Sequence, residues 1–356
     1  MPAVWVIVLS YSIGHDALNL IPRERLARVE YNDNWEIVRH VTGKDPQVDA
    51  DASRLFNDWS RMDFCWVVND GPVPWSQRGR VTDMGHASYM EDGSDQRSSA
   101  ESPFANGDDV LEFNAVSEYG LHPFDELVAF YESFYQEQRR SNPDQVVTGG
   151  YYNTIVSGAI EIFGWQRLLE AAGDDSDRFG DHVLGSIFDQ TMHHAKAWAQ
   201  TSIEYYMCHD DMVWTSGAFM RPAFYRTYIF PRYKELWKML HAAGKKVLYT
   251  ADGLYDFFMD DIVEAGADGL IFEPVNELEP IVEKYGQTHS LFGGVDCRTL
   301  TFKSIPEIEE EVKHKAALAL KCPGFFFGCG NHFPSNIPLE NGLAYFKFLD
   351  QYCKRT

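Results

Sequence analysis

Ala243–Thr250, AGKKVLYT, and Ala265–Pro274, AGADGLIFEP, share one form: a helical stretch is stopped by a glycine and a β-rich run follows at once. Glycine just past the last helical turn is a common helix stop, and runs such as Val-Leu-Tyr-Thr and Leu-Ile-Phe suit a buried strand. Two adjacent copies of this helix-to-strand step predict βα units, and repeated βα units predict a parallel sheet.

Outward from this pair the alternation continues. Strands are predicted near Phe64–Asn69, Gln145–Thr148, Ile203–Cys208, Lys246–Thr250, Gly269–Phe272, Ser290–Gly293 and Gly324–Gly328. Helices are predicted near Pro123–Arg140, Arg178–Gln200, Pro222–Ala243, Tyr255–Glu264, Ile305–Leu320 and Pro338–Tyr352, several of them preceded by Asp, Ser or Pro as start signals. Seven strands are visible and an eighth is assumed, which gives an α/β protein of the (β/α)8 TIM-barrel type. Residues 1–60 are expected to form an N-terminal arm packing on the barrel, and residues 61–356 the barrel itself. Residues 79–122 carry polar clusters and turn signals, and are expected to form an inserted hairpin plus loop over one face.

The chain has 356 residues, 45% of them hydrophobic and 14% aromatic, enough for one large core. Its net charge of −22, from 31 basic and 53 acidic residues, opposes nucleic acid, an anionic membrane surface or a polyanionic substrate. The six cysteines lack the close spacing of a disulfide scaffold, so reduced thiols and a cytoplasmic location are expected. The apolar opening MPAVWVIVLSYSIG has no preceding Lys or Arg and no evident cleavage site, which argues against a signal peptide. No later segment reaches the ~18 apolar residues of a membrane span.

The C-terminal strand ends of a barrel form its active-site face. Standing there are His209, Asp210 and Asp211, then Asp252, Glu273, Asp296 with Cys297, and Cys329 with His332. Adjacent residues on an extended segment point to opposite faces, so His209 and Asp211 share one, as candidate base and orienter. Asp252, Cys297 and Cys329, on different strand ends, offer three ligands for an open zinc site. The ordinary reading of the same cysteines is as small buried hydrophobes, and their place at strand ends flanked by polar or glycine residues is what favours the ligand reading. Tyr151, Tyr152 and Trp214 are candidates for an aromatic wall and Glu273 and His332 for substrate contacts; each also has a plain structural reading in packing or loop bonding.

Several segments together resemble the uroporphyrinogen decarboxylase superfamily and, within it, the corrinoid-dependent methyltransferases. They are RLARVEYNDNWEIVRHVTG, VTDMGHASYMEDG with SPFANGDDVLEF, the DDMVWTSGAFMRPAFYRTYIFPRYKELWKMLHAAGKKVLYTADG run, EAGADGLIFEPVNELEPIVEKYG with LFGGVDCRTL, and FGCGNHFPSNIPLEN. The resemblance implies a (β/α)8 barrel. The decarboxylases carry an Arg-Gln-Ala-Gly-Arg signature where this chain has IPRERLARVEYN, so uroporphyrinogen is not the expected substrate. In the coenzyme-M-methylating relatives a His-x-Cys pair and a distant Cys hold zinc; here the pair falls on Thr250 and Asp252, and Cys329 matches the distant Cys. The set Asp252, Cys297 and Cys329 is similar to the Asp/Cys/Cys type of methyl-ether-cleaving members.

The resemblance therefore implies a zinc-dependent methyltransferase that moves a methyl group from a small methylated donor, an aryl methyl ether, to the cobalt of a corrinoid (cobalamin) held by a partner protein. His209, Asp211 and Asp252 are the expected catalytic residues. The alternatives are methyl transfer from a methylcorrinoid to a thiol, and a metal-free barrel that acts as a binding protein.

Overall fold

The computed structural model describes residues 3–82, 88–89, 95–96, 101–330 and 332–355, with side chains placed from residue 10 onward except in the two short strands Ser88–Tyr89 and Asp95–Gln96. Seven strands form one sheet in the spatial order Ala27–Arg28, Phe325–Cys329, Ser290–Val295, Gly269–Ile271, Lys246–Thr250, Tyr205–His209 and Gly149–Tyr151. Every pairing in it is parallel. Val146–Val147 runs into Gly149–Tyr151 through Thr148 and pairs in parallel with Phe64–Cys65. The eighth barrel strand is thus Ala27–Arg28, within the segment expected as an arm.

Asp63 joins the two ends of the ring. Its amide donates to the Arg28 carbonyl at 3.0 Å, and its carboxylate accepts the Arg28 amide at 2.8 Å. Arg25 clamps the same carboxylate through both terminal nitrogens, at 2.5 and 2.8 Å. A side chain completes here what a longer strand would do with its backbone, and the Arg28 amide and the Asp63 carboxylate are both paired.

Period-two alternation divides the side chains into two layers. Phe64, Val146, Tyr205, Met207, Leu248, Phe292 and Phe326 fill the barrel interior, and Ile13, Ala17 and Leu18 of the helix Ala3–Leu18 pack into the same cluster. Phe292 and Phe326 stack with centroids 4.2 Å apart, and Phe64 meets both edge-on at 5.0 and 5.3 Å. The interior is therefore a packed core rather than a pore, which confines any chemistry to the rim. The other faces, with Tyr206, Cys208, Tyr249, Phe325, Phe327 and Cys329, pack against the outer helices.

Helices form at Phe124–Ser141, Leu184–Ala199, Phe230–Ala242, Met259–Ala265, Ile305–Ala319 and Leu339–Tyr352, close to the expected spans. Ser304 and Glu307 make a reciprocal capping box at the start of Ile305–Ala319. Helices that escape the sequence reading include Ala3–Leu18, Trp35–Thr42, Ala52–Ser60, Leu278–Tyr285, Cys297–Phe302 and Val156–Asp174, the last broken at Gly164, where φ is 69°. In the 79–122 region, Ser88–Tyr89 pairs antiparallel with Asp95–Gln96, and the short helices Gly107–Leu111 and Ala115–Tyr119 follow, each N-capped by an asparagine. The rest of the expected hairpin and loop, residues 83–87, 90–94 and 97–100, lies outside the described residues. Among the described residues no helix is long and apolar enough to cross a membrane.

Candidate active site

Tyr205 and Met207 point into the barrel, and the next residue on that face is His209, at the C-terminal end of its strand. Its side chain is 2% exposed. Nε2 lies 3.2 Å from Asp211 Oδ1 and Nδ1 lies 3.2 Å from the Tyr152 carbonyl oxygen. Both ring nitrogens face acceptors, an arrangement satisfied only when both carry protons, so His209 is an imidazolium. Burial alone would lower its pKa; Asp211, by charge and hydrogen bond, with help from Asp252 and the Tyr152 carbonyl, outweighs burial and raises it to about 9. The Tyr152 ring stacks on the imidazole with centroids 3.7 Å apart and covers the cation.

Asp210, between His209 and Asp211, faces the other way. Fully buried, it accepts the Ser157 amide at 2.6 Å, the Ile155 amide at 3.2 Å and the Tyr233 hydroxyl at 2.5 Å. Asp210 thereby ties the start of Val156–Asp174 to the barrel wall, which is a structural duty. Asp252 joins the His209 group: its amide donates to Asp211 Oδ1 at 2.8 Å, and its exposed carboxylate acts on His209 and Tyr152 through its charge.

The remaining aromatic candidates diverge. Tyr151 is buried on the outer face, stacked on His194 at 4.7 Å, with its hydroxyl accepting from Arg78 Nη1 at 3.2 Å. Trp214 is 43% exposed and stands beside Trp165 and Phe219 at 5.5 and 5.4 Å. Neither is in ring contact with the His209–Tyr152 pair. Glu273 accepts the Gly253 amide at 2.6 Å and so couples the strand ends of Gly269–Ile271 and Lys246–Thr250. His332 is buried, and burial lowers its pKa to about 4, which keeps it neutral.

The thiols form a second group. Val295 lies opposite Cys329 in the parallel ladder, and the Gly330 amide donates to the Val295 carbonyl at 2.8 Å, carrying the pairing one step further. Cys297, two residues on, opens the helix Cys297–Phe302. The neighbouring Cys329 thiol lowers the Cys297 pKa, whereas burial, with Cys297 and the nearby Glu30, pushes Cys329 up. Two flanking glycines permit this packing by absence of bulk: a Cβ on Gly328 would sit 2.2 Å from the Val29 carbonyl oxygen, and one on Gly330 2.0 Å from Pro274 Cδ.

Two residues of these groups were not read from the sequence. Glu30 is half-buried beside Cys329, accepts its amide at 3.0 Å and the Tyr345 hydroxyl at 2.6 Å, and the loss of solvent around it raises its pKa to about 8. Trp66, on the same side of its strand as Phe64, holds its ring 6.2 Å from His209. A Phe-x-Trp alternation leading into a strand end is the signal that could have found Trp66. Glu30, in a charged segment 299 residues from its partner, gave none.

The thiol pair supplies two soft donors of the kind zinc takes. The third expected ligand, Asp252, belongs instead to the His209 group, and among the described residues no three His, Cys, Asp or Glu side chains converge as a metal site. The expected set of Asp252, Cys297 and Cys329 is not assembled in this structure.

Fold and site define a TIM barrel with charged and thiol groups gathered at the C-terminal strand ends, the face on which barrel enzymes work. The profile of the Uroporphyrinogen decarboxylase (URO-D) family matches residues 159–352, more than half of the chain, and the chain belongs to that family of barrel enzymes. No curated protein gives a match. Solved structures of similar fold include a GH113 β-1,4-mannanase, 10% identical, covering 93% of this chain and 99% of that one with a TM-score of 0.43. A D-psicose 3-epimerase with D-tagatose from Clostridium cellulolyticum H10 is 11% identical over 64% of this chain and 86% of that one, with a TM-score of 0.36. The GH18 chitinase ChiB from Flavobacterium johnsoniae is 10% identical over 62% and 80%, with a TM-score of 0.34.

Proposed function

We propose that the chain is a methyltransferase that takes the methyl group of an aryl methyl ether and delivers it to the cobalt of a corrinoid carried by a partner protein. The observation that carries this reading is the His209 imidazolium, buried at the rim and held by Asp211 and the Tyr152 carbonyl.

Cleaving an aryl methyl ether leaves the electron pair of the broken carbon–oxygen bond on oxygen. A phenolate leaves poorly unless a proton meets it. A phenol of pKa about 10 is closely matched to an acid of pKa about 9, so the proton on His209 Nε2 can pass by way of Asp211, the partly exposed carboxylate that faces it, as negative charge grows on the oxygen. Asp211 orients the ring and keeps it charged between turnovers. Tyr152 presents a flat aromatic surface beside the acid, and Asp252 strengthens the field that holds the proton. The partner's corrinoid supplies the low-valent cobalt nucleophile that receives the methyl carbon. Zinc at Cys297 and Cys329 is a separate part of the proposal; no step above depends on it.

Release of 1,2-dihydroxybenzene from 2-methoxyphenol, in the presence of reduced corrinoid, tests the reading. His209→Gln and Asp211→Asn are expected to lower the rate by about 100-fold or more. Wild-type rates in both variants would contradict it.

A further inference from the structure

Past the bond from the Asn69 amide to the Gly150 carbonyl at 2.9 Å, the chain reaches Asp70, whose half-buried carboxylate takes three donors at the rim. Oδ1 accepts the Tyr152 amide at 2.6 Å, and Oδ2 accepts the Asn153 amide at 3.3 Å and the Trp75 indole N–H at 2.8 Å. Both amides lie beyond the strand Gly149–Tyr151, so a side chain supplies the acceptors that a ladder would have given them. Arg78 holds the loop from its far side, donating to the Asp70 and Val73 carbonyls and lying over the Trp75 ring at 4.1 Å. The Asn153 N–H and the Tyr152 carbonyl belong to one peptide unit, which is planar and turns as a body. Its N–H is on Asp70; its carbonyl accepts His209 Nδ1–H at 3.2 Å and the Thr154 amide at 2.9 Å.

We propose that Asp70 is a positioning residue for His209: it fixes the Tyr152–Asn153 peptide so that the carbonyl stays on Nδ1 and the Tyr152 ring stays on the face of the imidazole. The line from carboxylate through peptide to imidazolium runs from anion to cation over two hydrogen bonds. Each polarises the peptide in the sense that strengthens the other, because density drawn toward the carbonyl oxygen by the bond to Asp70 makes that oxygen a better acceptor for Nδ1–H. Asp70 thus helps His209 keep its proton without touching it. The charged and titratable groups that face His209 directly are Asp211, Asp252 and Tyr152, with Asp210 acting by charge from behind and the Trp66 ring 6.2 Å away. The inference rests on the same His209 site as the proposed function, but on no step of methyl transfer.

The test is nitrogen-15 NMR of histidine-labelled full chain across pH, without substrate or corrinoid, with the His209 signal assigned through His209→Gln. In Asp70→Asn, which removes the charge, and in Asp70→Glu, which keeps the charge but displaces it, the His209 titration is expected to fall by about half a pH unit or more. Trp75→Phe removes the loop's own bond to Oδ2 and leaves both backbone bonds, so it is expected to titrate like wild type. An unmoved titration in Asp70→Asn would overturn the proposal. So would wild-type behaviour in Asp70→Glu, which would leave charge alone as the cause, or a shift in Trp75→Phe as large as that in Asp70→Asn, which would leave loop packing. In the wild type itself the Tyr152 and Asn153 amides should exchange slowly with solvent; fast exchange overturns the proposal without any variant having to fold. The comparison is readable at whatever pH the wild type titrates, so a neutral His209, which would sink the proposed function, does not decide this one.

Discussion

His209 Nε2 and Asp211 Oδ1 lie 3.2 Å apart across a residue whose own carboxylate, Asp210, is bound to Tyr233 on the opposite face. One short stretch of chain thus sends two carboxylates in opposite directions, one to the imidazolium at the rim and one to the wall behind it.

The imidazolium links stability to pH. His209 keeps its proton up to about 9 in the folded protein, whereas in the unfolded chain it releases it at about 6.5. Between these values the native state binds more protons, so this contribution is complete below about pH 6.5 and is lost as pH rises through about 9. It amounts to on the order of 3 kcal/mol. Urea unfolding of wild type and His209→Gln at pH 6 and pH 9.5 should show their stability gap narrowing by about that amount; a gap independent of pH would mean that His209 is not charged in the native protein.

Asp210 should matter for stability. Asp210→Ala leaves the buried Ser157 and Ile155 amides and the Tyr233 hydroxyl without their acceptor, and is expected to cost about 3 kcal/mol or more, with Asp210→Asn costing less. Urea midpoints at fixed pH measure this. An alanine variant as stable as wild type would show that these bonds are replaced at no cost.

Metal content separates the two rim groups. Any zinc that the purified protein holds on the thiol pair is expected to be lost in Cys297→Ser and Cys329→Ser. Because Asp252 sits with Asp211, Asp252→Asn is expected to retain zinc and to slow methyl transfer. Elemental analysis of the variants beside a rate measurement checks both statements. Zinc lost from Asp252→Asn would place that carboxylate with the thiols instead.

Uroporphyrinogen should not be decarboxylated. Its eight carboxylates meet a chain of net charge −22 that lacks the Arg-Gln-Ala-Gly-Arg signature. Chromatography of porphyrinogen products would register any turnover, and turnover would make this chain a decarboxylase like the enzyme its family is named for.

The barrel was legible where each strand carries a helix stop before it, as at Lys246–Thr250, which the structure reproduces residue for residue. The strand Ala27–Arg28 was not, because two residues in a charged segment leave no period to read, and the Asp63 side chain does the rest of its pairing. The helix Val156–Asp174 was hidden by Gly158, Gly164 and Gly173, which read as breakers. At the rim, chain alternation alone paired His209 with Asp211 and set Asp210 apart. The grouping of Asp252 was beyond reach from sequence, since it depends on the loop after Thr250 turning its amide toward a neighbouring strand end.

The most direct measurement is methyl transfer itself. The protein, 2-methoxyphenol and a corrinoid reduced to the cobalt(I) state are incubated without oxygen, and 1,2-dihydroxybenzene and methylated corrinoid are quantified together. The account predicts both products in equal amounts, at a rate that collapses in His209→Gln. If 2-methoxyphenol and other aryl methyl ethers stay intact while the corrinoid remains unmethylated, the methyltransferase reading is wrong.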